Sequence, residues 1–434
     1  SKRTPWTRWI PTSELSTEKN LMKSLLFSLF VVVSFPLCAQ EWTPKKDAAK
    51  DAMINGRAME TYDAGVKPEW GYESPQQDTF VVIHPKEKRS QAPLYVVLHS
   101  AGHDFASCVN CTRKVGDHDI YRSPDDHFAL YLDCRKHQGR DWWWGGMHSK
   151  DERLIKMNSG GDLTPVEKRV IDTVKWAIKH YEIDPNRVYL SGNSMGGSGT
   201  LGIGVRHGDL FAAIKANVPA GIEHVSNRMY FPPKSVPQGV ILPDPPIVID
   251  YSAPNDGWAV GHDRFVAAMN ERKYPLFFYW GPFGHANNSS QIMKVNDLID
   301  SFDWLNVKKN EAYAVFTNAN CNSTLPWPDD LKSTTAGQVN AFFRWKNITD
   351  SADKLEMSLY LVTEKDLQTT FAIPKEATAD VTLRRLQKFH LKSGQSFQWE
   401  FGTAKGSGKV DDQGLISIPG LKLTSEKTVL SLKP

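Results

Sequence analysis

Two kinds of apolar patterning alternate along the middle of this chain. Thr79-Phe80-Val81-Val82-Ile83 and Leu94-Tyr95-Val96-Val97-Leu98 are compact, β-branched runs. The second is unalternated, as in a strand buried on both faces. Phe128-Ala129-Leu130-Tyr131-Leu132 follows in the same style. The spacing then changes over 165–181, where Val166, Val170, Ile171, Val174, Ala177, Ile178 and Tyr181 recur every three or four residues and predict an amphipathic helix. Asp184-Pro185-Asn186 turns the chain into a further strand, Arg187-Val188-Tyr189-Leu190. Later runs at 211–218, 246–250 and 275–280 predict strands, and 262–272 predicts a helix. Strands that alternate with helices predict an α/β fold: a doubly wound, mostly parallel sheet covered on both faces.

The pattern shifts near Lys308. From Glu311 to Pro434 the apolar runs are short and strand-like, as in 341–345, 359–362 and 415–418, with Gly, Asp and Lys turns between them. This predicts an all-β, sandwich-like C-terminal domain at 311–434, after an α/β domain at 78–308. Residues 40–77 read as a polar lead-in. Residues 1–39 read as an upstream segment followed by a secretory signal. Met22-Lys23 precedes the apolar run Ser24–Val33, which is too short to span a bilayer stably, and small residues stand around Leu37-Cys38-Ala39. The expected location is therefore secreted or periplasmic, with a lipid anchor on Cys38 as a lesser alternative and no stable membrane span.

Charge narrows the partners. The net charge is +3, and Lys2, Arg3, Arg8, Lys19 and Lys23 against Glu14 and Glu18 supply all of it. The remaining body is balanced, which argues against nucleic acid or an anionic membrane as a partner. Beyond the signal stand Cys108, Cys111, Cys134 and Cys321. An even number of cysteines in an oxidising compartment predicts disulfides, in any of three pairings. A metal site is not expected, because Cys108-Val109-Asn110-Cys111 has no second ligand pair at comparable spacing.

The candidate chemistry centres on Gly192-Asn193-Ser194-Met195-Gly196. The pattern directly follows a predicted strand and precedes a helix, the setting of a nucleophile elbow. A serine needs a base to take its proton, and in such a fold the acid and then the histidine follow it in the chain. His285 lies in Gly281-Pro282-Phe283-Gly284-His285, just past the run 275–280, and is the candidate base. His207 and His262 read as surface or supporting residues, and His224 and His390 are the other histidines after Ser194. Asp256, in the loop after the strand at 246–250, is the candidate acid, with Asp250 as the alternative. An oxyanion hole needs two backbone donors. The amide of Met195 is one, and the loop His99-Ser100-Ala101-Gly102-His103 offers Ala101 as the second, with Gly102 next to it.

The stretch Ile183–Gly197 resembles the elbow region of feruloyl and acetylxylan esterases of carbohydrate esterase family 1 and of poly(3-hydroxybutyrate) depolymerases. Leu98-His99-Ser100-Ala101-Gly102 resembles their His-Gly oxyanion loop, with Ser100 where glycine is usual. The likeness covers roughly residues 78–305. It implies an α/β-hydrolase that cleaves esters through an acyl-enzyme, without metal or organic cofactor, and an acylated polysaccharide or another ester as substrate. Polyester hydrolysis and peptide hydrolysis on the same fold stay open. Fourteen tryptophans are a surplus for this length. Trp143 and Trp144, in Asp141-Trp142-Trp143-Trp144, and Trp258 are candidate substrate-binding faces, with a plug into the core as the other reading of the first two.

Overall fold

The computed structural model describes residues 42–65, 67–72, 78–114, 119–134, 143, 163–222, 225, 243–285, 301–327, 334–367 and 371–434. The signal region, most of the 141–146 stretch with Trp144, and His224 lie outside them.

The main sheet gathers β1 (Lys45–Lys46), β2 (Ala52–Ile54), β3 (Arg57–Asp63), β4 (Thr79–Ile83), β5 (Leu94–Leu98), β6 (Phe128–Tyr131), β7 (Val188–Asn193), β8 (Ala213–Asn217), β9 (Ile247–Ser252) and β10 (Leu276–Trp280). Its order is β1-β3-β4-β6-β5-β7-β8-β9-β10, and β2 pairs with β3. From β6 to β10 every pairing is parallel, while β4 runs antiparallel to β6. The swap of β5 and β6 and the antiparallel strands at the β4 end give the α/β-hydrolase arrangement. Strands β5 to β10 are buried at every position. That burial explains why their sequences run apolar without alternation.

Helix α1 is Phe105–Cys111, α2 Pro165–His180, α3 Met195–Gly204 and α4 His262–Glu271. Helix α2 starts where its sequence says it should. Thr164 and Glu167 form a reciprocal capping box, Pro165 takes the first turn, and Lys179 and His180 stand in the last.

Residues after 311 build two antiparallel sheets. One is β11 (Tyr313–Thr317), β15 (Glu376–Arg384) and β18 (Ile416–Thr424), in the order β11-β15-β18. The other contains β13 (Phe343–Asp350), β14 (Leu355–Leu361), β16 (Ser396–Phe401), β17 (Ala404–Lys409) and β19 (Thr428–Lys433), in the order β13-β14-β19-β16-β17. The remaining strand, β12 (Gly337–Val339), returns to the main sheet and pairs antiparallel with β10. Gly337 has to be a glycine there: a Cβ would meet the Trp280 ring at 2.0 Å. Arg385 ties the two parts further. Its guanidinium donates to the carbonyls of Ala212, Gly208 and Phe211 at 3.0, 3.1 and 2.7 Å. Arg384 bonds Asp244 at 2.9 Å and the carbonyls of Lys273 and Arg272. One hydrophobic core runs through both parts, and Thr43–Pro434 is a single compact unit.

The expected disulfides are absent: Cys108, Cys111, Cys134 and Cys321 are free. Cys108 and Cys111 lie three residues apart on helix α1, where Cβ atoms stand about 5–6 Å apart, too far for the ~3.8 Å that a bridge needs. Burial holds the Cys108 thiol well above its usual range. Among the described residues no helix is long and apolar enough to cross a membrane.

Candidate functional site

Ser194 stands between the last residue of β7 and the first of α3, with φ 57° and ψ −115°. A non-glycine residue reaches such a conformation only where its surroundings dictate it. Here they do. The Ser194 amide donates to Asn217 O at 2.9 Å, and the Ser194 carbonyl accepts from the amides of Ser198 and Ala220 at 3.0 and 3.2 Å. The flanking glycines have no room for a side chain. A Cβ on Gly192 would lie 2.3 Å from the carbonyl oxygen of Gly196, and one on Gly196 would lie 2.0 Å from that of Leu98.

His285 lies in the loop after β10 and Asp256 in the loop after β9. His285 Nδ1–H donates to Asp256 Oδ2 at 2.6 Å, and Ser194 Oγ–H donates to His285 Nε2 at 2.7 Å. The second Asp256 oxygen accepts from the Trp258 amide at 2.9 Å, so the carboxylate cannot swing away. Asn255, next to the acid, accepts from the Gly284 amide at 2.8 Å, fastening the acid loop to the histidine loop. Asp256 is buried, while His285 is a third exposed. A hydroxyl, an imidazole and a buried carboxylate in this relay can pass the serine proton to the histidine as the serine attacks a carbonyl.

Asp250 takes no part in the relay. It is fully buried within β9 and faces His262 Nε2 at 3.2 Å. Burial raises its carboxyl above the usual carboxylate range. His262 is also fully buried, not at the surface; it lies flat against Phe278 and donates from Nδ1 to Ala259 O at 2.6 Å. His207 lies 3.0 Å from the buried Glu167, and His390 Nε2 lies 3.1 Å from the Gln387 carbonyl.

Met195 opens helix α3, so its amide is among the first-turn N–H groups that have no acceptor within the helix. Ala101 and Gly102 occupy the centre of a turn closed by the His103 amide on Ser100 O at 3.1 Å, and Ala101 is exposed. The contact of Gly196 with Leu98 brings this loop against the elbow. Ser100 is put to use: its Oγ accepts from Asn193 Nδ2 at 2.9 Å and bonds the Tyr121 hydroxyl. Burial pushes that hydroxyl far above the tyrosine range. Asn193 and Tyr121 were not singled out in the sequence. Asn193 could have been, since it occupies the variable place of the pentapeptide beside the serine.

The three candidate tryptophans part ways. Trp143 is fully buried and does not present a face to substrate. It adopts φ 64°, donates from Nε1 to His99 O at 3.0 Å, and fills the space against Gly199. It supports the 99–103 loop from inside. Trp144 lies outside the described residues. Trp258 is 45% exposed, and its carbonyl accepts from the Gly221 amide at 3.2 Å, next to the segment that holds Ser194. Among the described residues no group of three or more His, Cys, Asp or Glu is placed to hold a metal ion.

Residues 167–226, which include the elbow, match the prolyl oligopeptidase family. No curated protein matches the chain. Among solved structures, the chain is similar to an S-formylglutathione hydrolase from Staphylococcus aureus at 14% identity and TM-score 0.35, over 54% of this chain and 94% of that one. It is similar to a Bacillus cereus carboxylesterase at 13% identity and TM-score 0.36, over 51% and 93%. A ferulic acid esterase aligns at 15% identity and TM-score 0.37, over 53% and 92%.

Proposed function

We propose that this protein is a serine esterase that removes acyl groups, acetyl or feruloyl, from polysaccharide. The observation that carries the reading is the single histidine, His285, hydrogen-bonded at once to the Ser194 hydroxyl and to a buried aspartate. Ser194 attacks the ester carbonyl and His285 takes its proton, then returns it to the departing alcohol. Asp256 orients the imidazole and stabilises its charged form. The amides of Met195 and Ala101 receive the developing oxyanion. Trp258, exposed in the acid loop, offers aromatic surface for a sugar or aromatic ring. Water then releases the acid, with no metal or organic cofactor in the cycle. Secretion through the leader at 22–39 would bring the enzyme to such a polymer.

The match of 167–226 to a peptidase family favours a second reading, peptide hydrolysis by the same three residues. One panel separates them: acetylated xylan, feruloylated arabinoxylan, polyhydroxybutyrate and a prolyl peptide amide, with p-nitrophenyl acetate as the general ester. We expect acid release from a polysaccharide ester, abolished by Ser194→Ala. Turnover of the peptide alone would favour the peptidase, and turnover that survives in Ser194→Ala would remove the nucleophile assignment.

A further inference from the structure

A second cleft, lined by none of the three relay residues, lies where residues 301–312 meet β13 and β14. Its volume is about 970 Å³, enough for several sugar rings by comparison with ordinary ligand sites. Trp345, half-buried, and Tyr360 supply aromatic surface, and Asn306, Asn310, Asn347 and Gln387 line the same cleft.

The charges in it are arranged unevenly. Four carboxylates line the cleft, and each is already engaged. Asp366 accepts from the amide and hydroxyl of Thr363, and Asp350 from the amides of Gln387, Lys388 and Phe389. Asp303 accepts from Asn306, and Glu311 pairs with Lys308. Of the cations, Arg344 donates to the carbonyls of Ala341 and Phe343, whereas two lysines share one ring. Lys346 and Lys427 lie 5.8 and 5.4 Å from the centre of the one Tyr360 ring. Among the described residues neither lies within ion-pair distance of a carboxylate, although the charge of Lys427 helps the Thr363 hydrogen bonds to hold the Asp366 carboxyl down. The ammonium of Lys427 against that of Lys346 pushes the latter below the usual lysine range. Two like charges held side by side repel each other, and an anion bound between them would relieve that repulsion.

We propose that this cleft binds an anionic glycan, with Lys346 and Lys427 gripping a carboxylate or sulfate group and the Trp345 and Asn surfaces receiving the sugar rings. A bare phosphate would use the lysines and leave the aromatic and amide surfaces idle. The proposal does not depend on the esterase reading, and its test keeps the two apart. Full-length Ser194→Ala protein, which leaves any ester in place, is titrated with oligogalacturonate, a sulfated oligosaccharide, neutral xylo-oligosaccharide and inorganic phosphate. The lysines are also changed to Gln together (K346Q with K427Q). Binding of either acidic sugar, weakened about tenfold or more by the double change and by added salt, is the expected result. Binding of the neutral oligosaccharide alone, equal binding of phosphate, or acidic-sugar binding that survives the double change would each overturn it. In the otherwise native enzyme, the double change should leave p-nitrophenyl acetate turnover and the melting temperature unchanged, showing that the lost binding is local.

Discussion

Gly196 lies so close to Leu98 that a single added carbon would sit 2.0 Å from the Leu98 carbonyl oxygen. Elbow and oxyanion loop are therefore in direct backbone contact, with no side chain between them. Neither backbone can give way, because one is the start of a helix and the other the end of a central strand. Gly196→Ala should lower stability by more than about 3 kcal/mol or yield insoluble protein. A soluble, fully active Gly196→Ala enzyme with an unchanged denaturation midpoint would contradict this packing.

The two candidate acids should separate by kind of damage. Asp256→Asn reverses the imidazole's hydrogen bonding and should lower kcat on the order of 10⁴-fold with little loss of stability. Asp250→Asn disturbs a buried pair with His262 and should show mainly as a lower melting temperature. Kinetics and thermal melts on both variants decide it; a severe kcat defect in Asp250→Asn with a mild one in Asp256→Asn would exchange the roles.

Trp143 should affect catalysis without touching substrate. Trp143→Phe removes the donor to His99 O and, with the ring partly kept, costs about 1 kcal/mol in stability. The loosened loop should lower kcat about tenfold, a fraction of what loss of an oxyanion donor costs, while KM barely moves. A raised KM at unchanged kcat would instead mark Trp143 as a binding residue.

Stability should fall on the acid side in two stages. His127 is pushed down to about 4 by burial, against the pull of Asp126. The unfolded chain therefore takes up this proton first, and stability is lost as pH falls from about 6.5 towards 4. Burial pushes Glu60 up, but hydrogen bonds from Lys46, Tyr181 and Tyr62 outweigh it and bring it down to about 2. Its contribution is complete above the unfolded value of 4.5 and disappears as pH approaches 2. Melting curves of native protein and Glu60→Gln should therefore differ at pH 6 and converge near pH 2–3. Parallel curves across that range would remove Glu60 from the account.

The main strands were legible because burial on both faces leaves an unbroken apolar signature, as at Leu94–Leu98. The relay was legible because this fold delivers acid and base from successive strand ends, so chain order stands in for distance. What escaped was fixed by contacts remote in the chain. The choice between the two readings of Trp143, face or plug, depends on the space at Gly199, and the Ser100–Asn193–Tyr121 network joins three separate segments. Strand β12 is three residues long, too short to carry a period, and only its pairing with β10 reveals it. The count of cysteines suggested bridges in any of three pairings; the spacing on helix α1 rules out the local Cys108–Cys111 one, and all four are free.

Arg385 sets an order on synthesis. Its guanidinium satisfies the carbonyls that lead into β8, and β8 supplies Asn217, which anchors the Ser194 amide. While the chain is still growing, the ribosome has released all three relay residues long before residue 385 emerges. The nascent hydrolase half must therefore wait with its sheet edge bare and the Gly208 and Phe211 carbonyls without their guanidinium partner until the last sheets arrive. Activity should appear late, with the completed chain, and not when His285 is made.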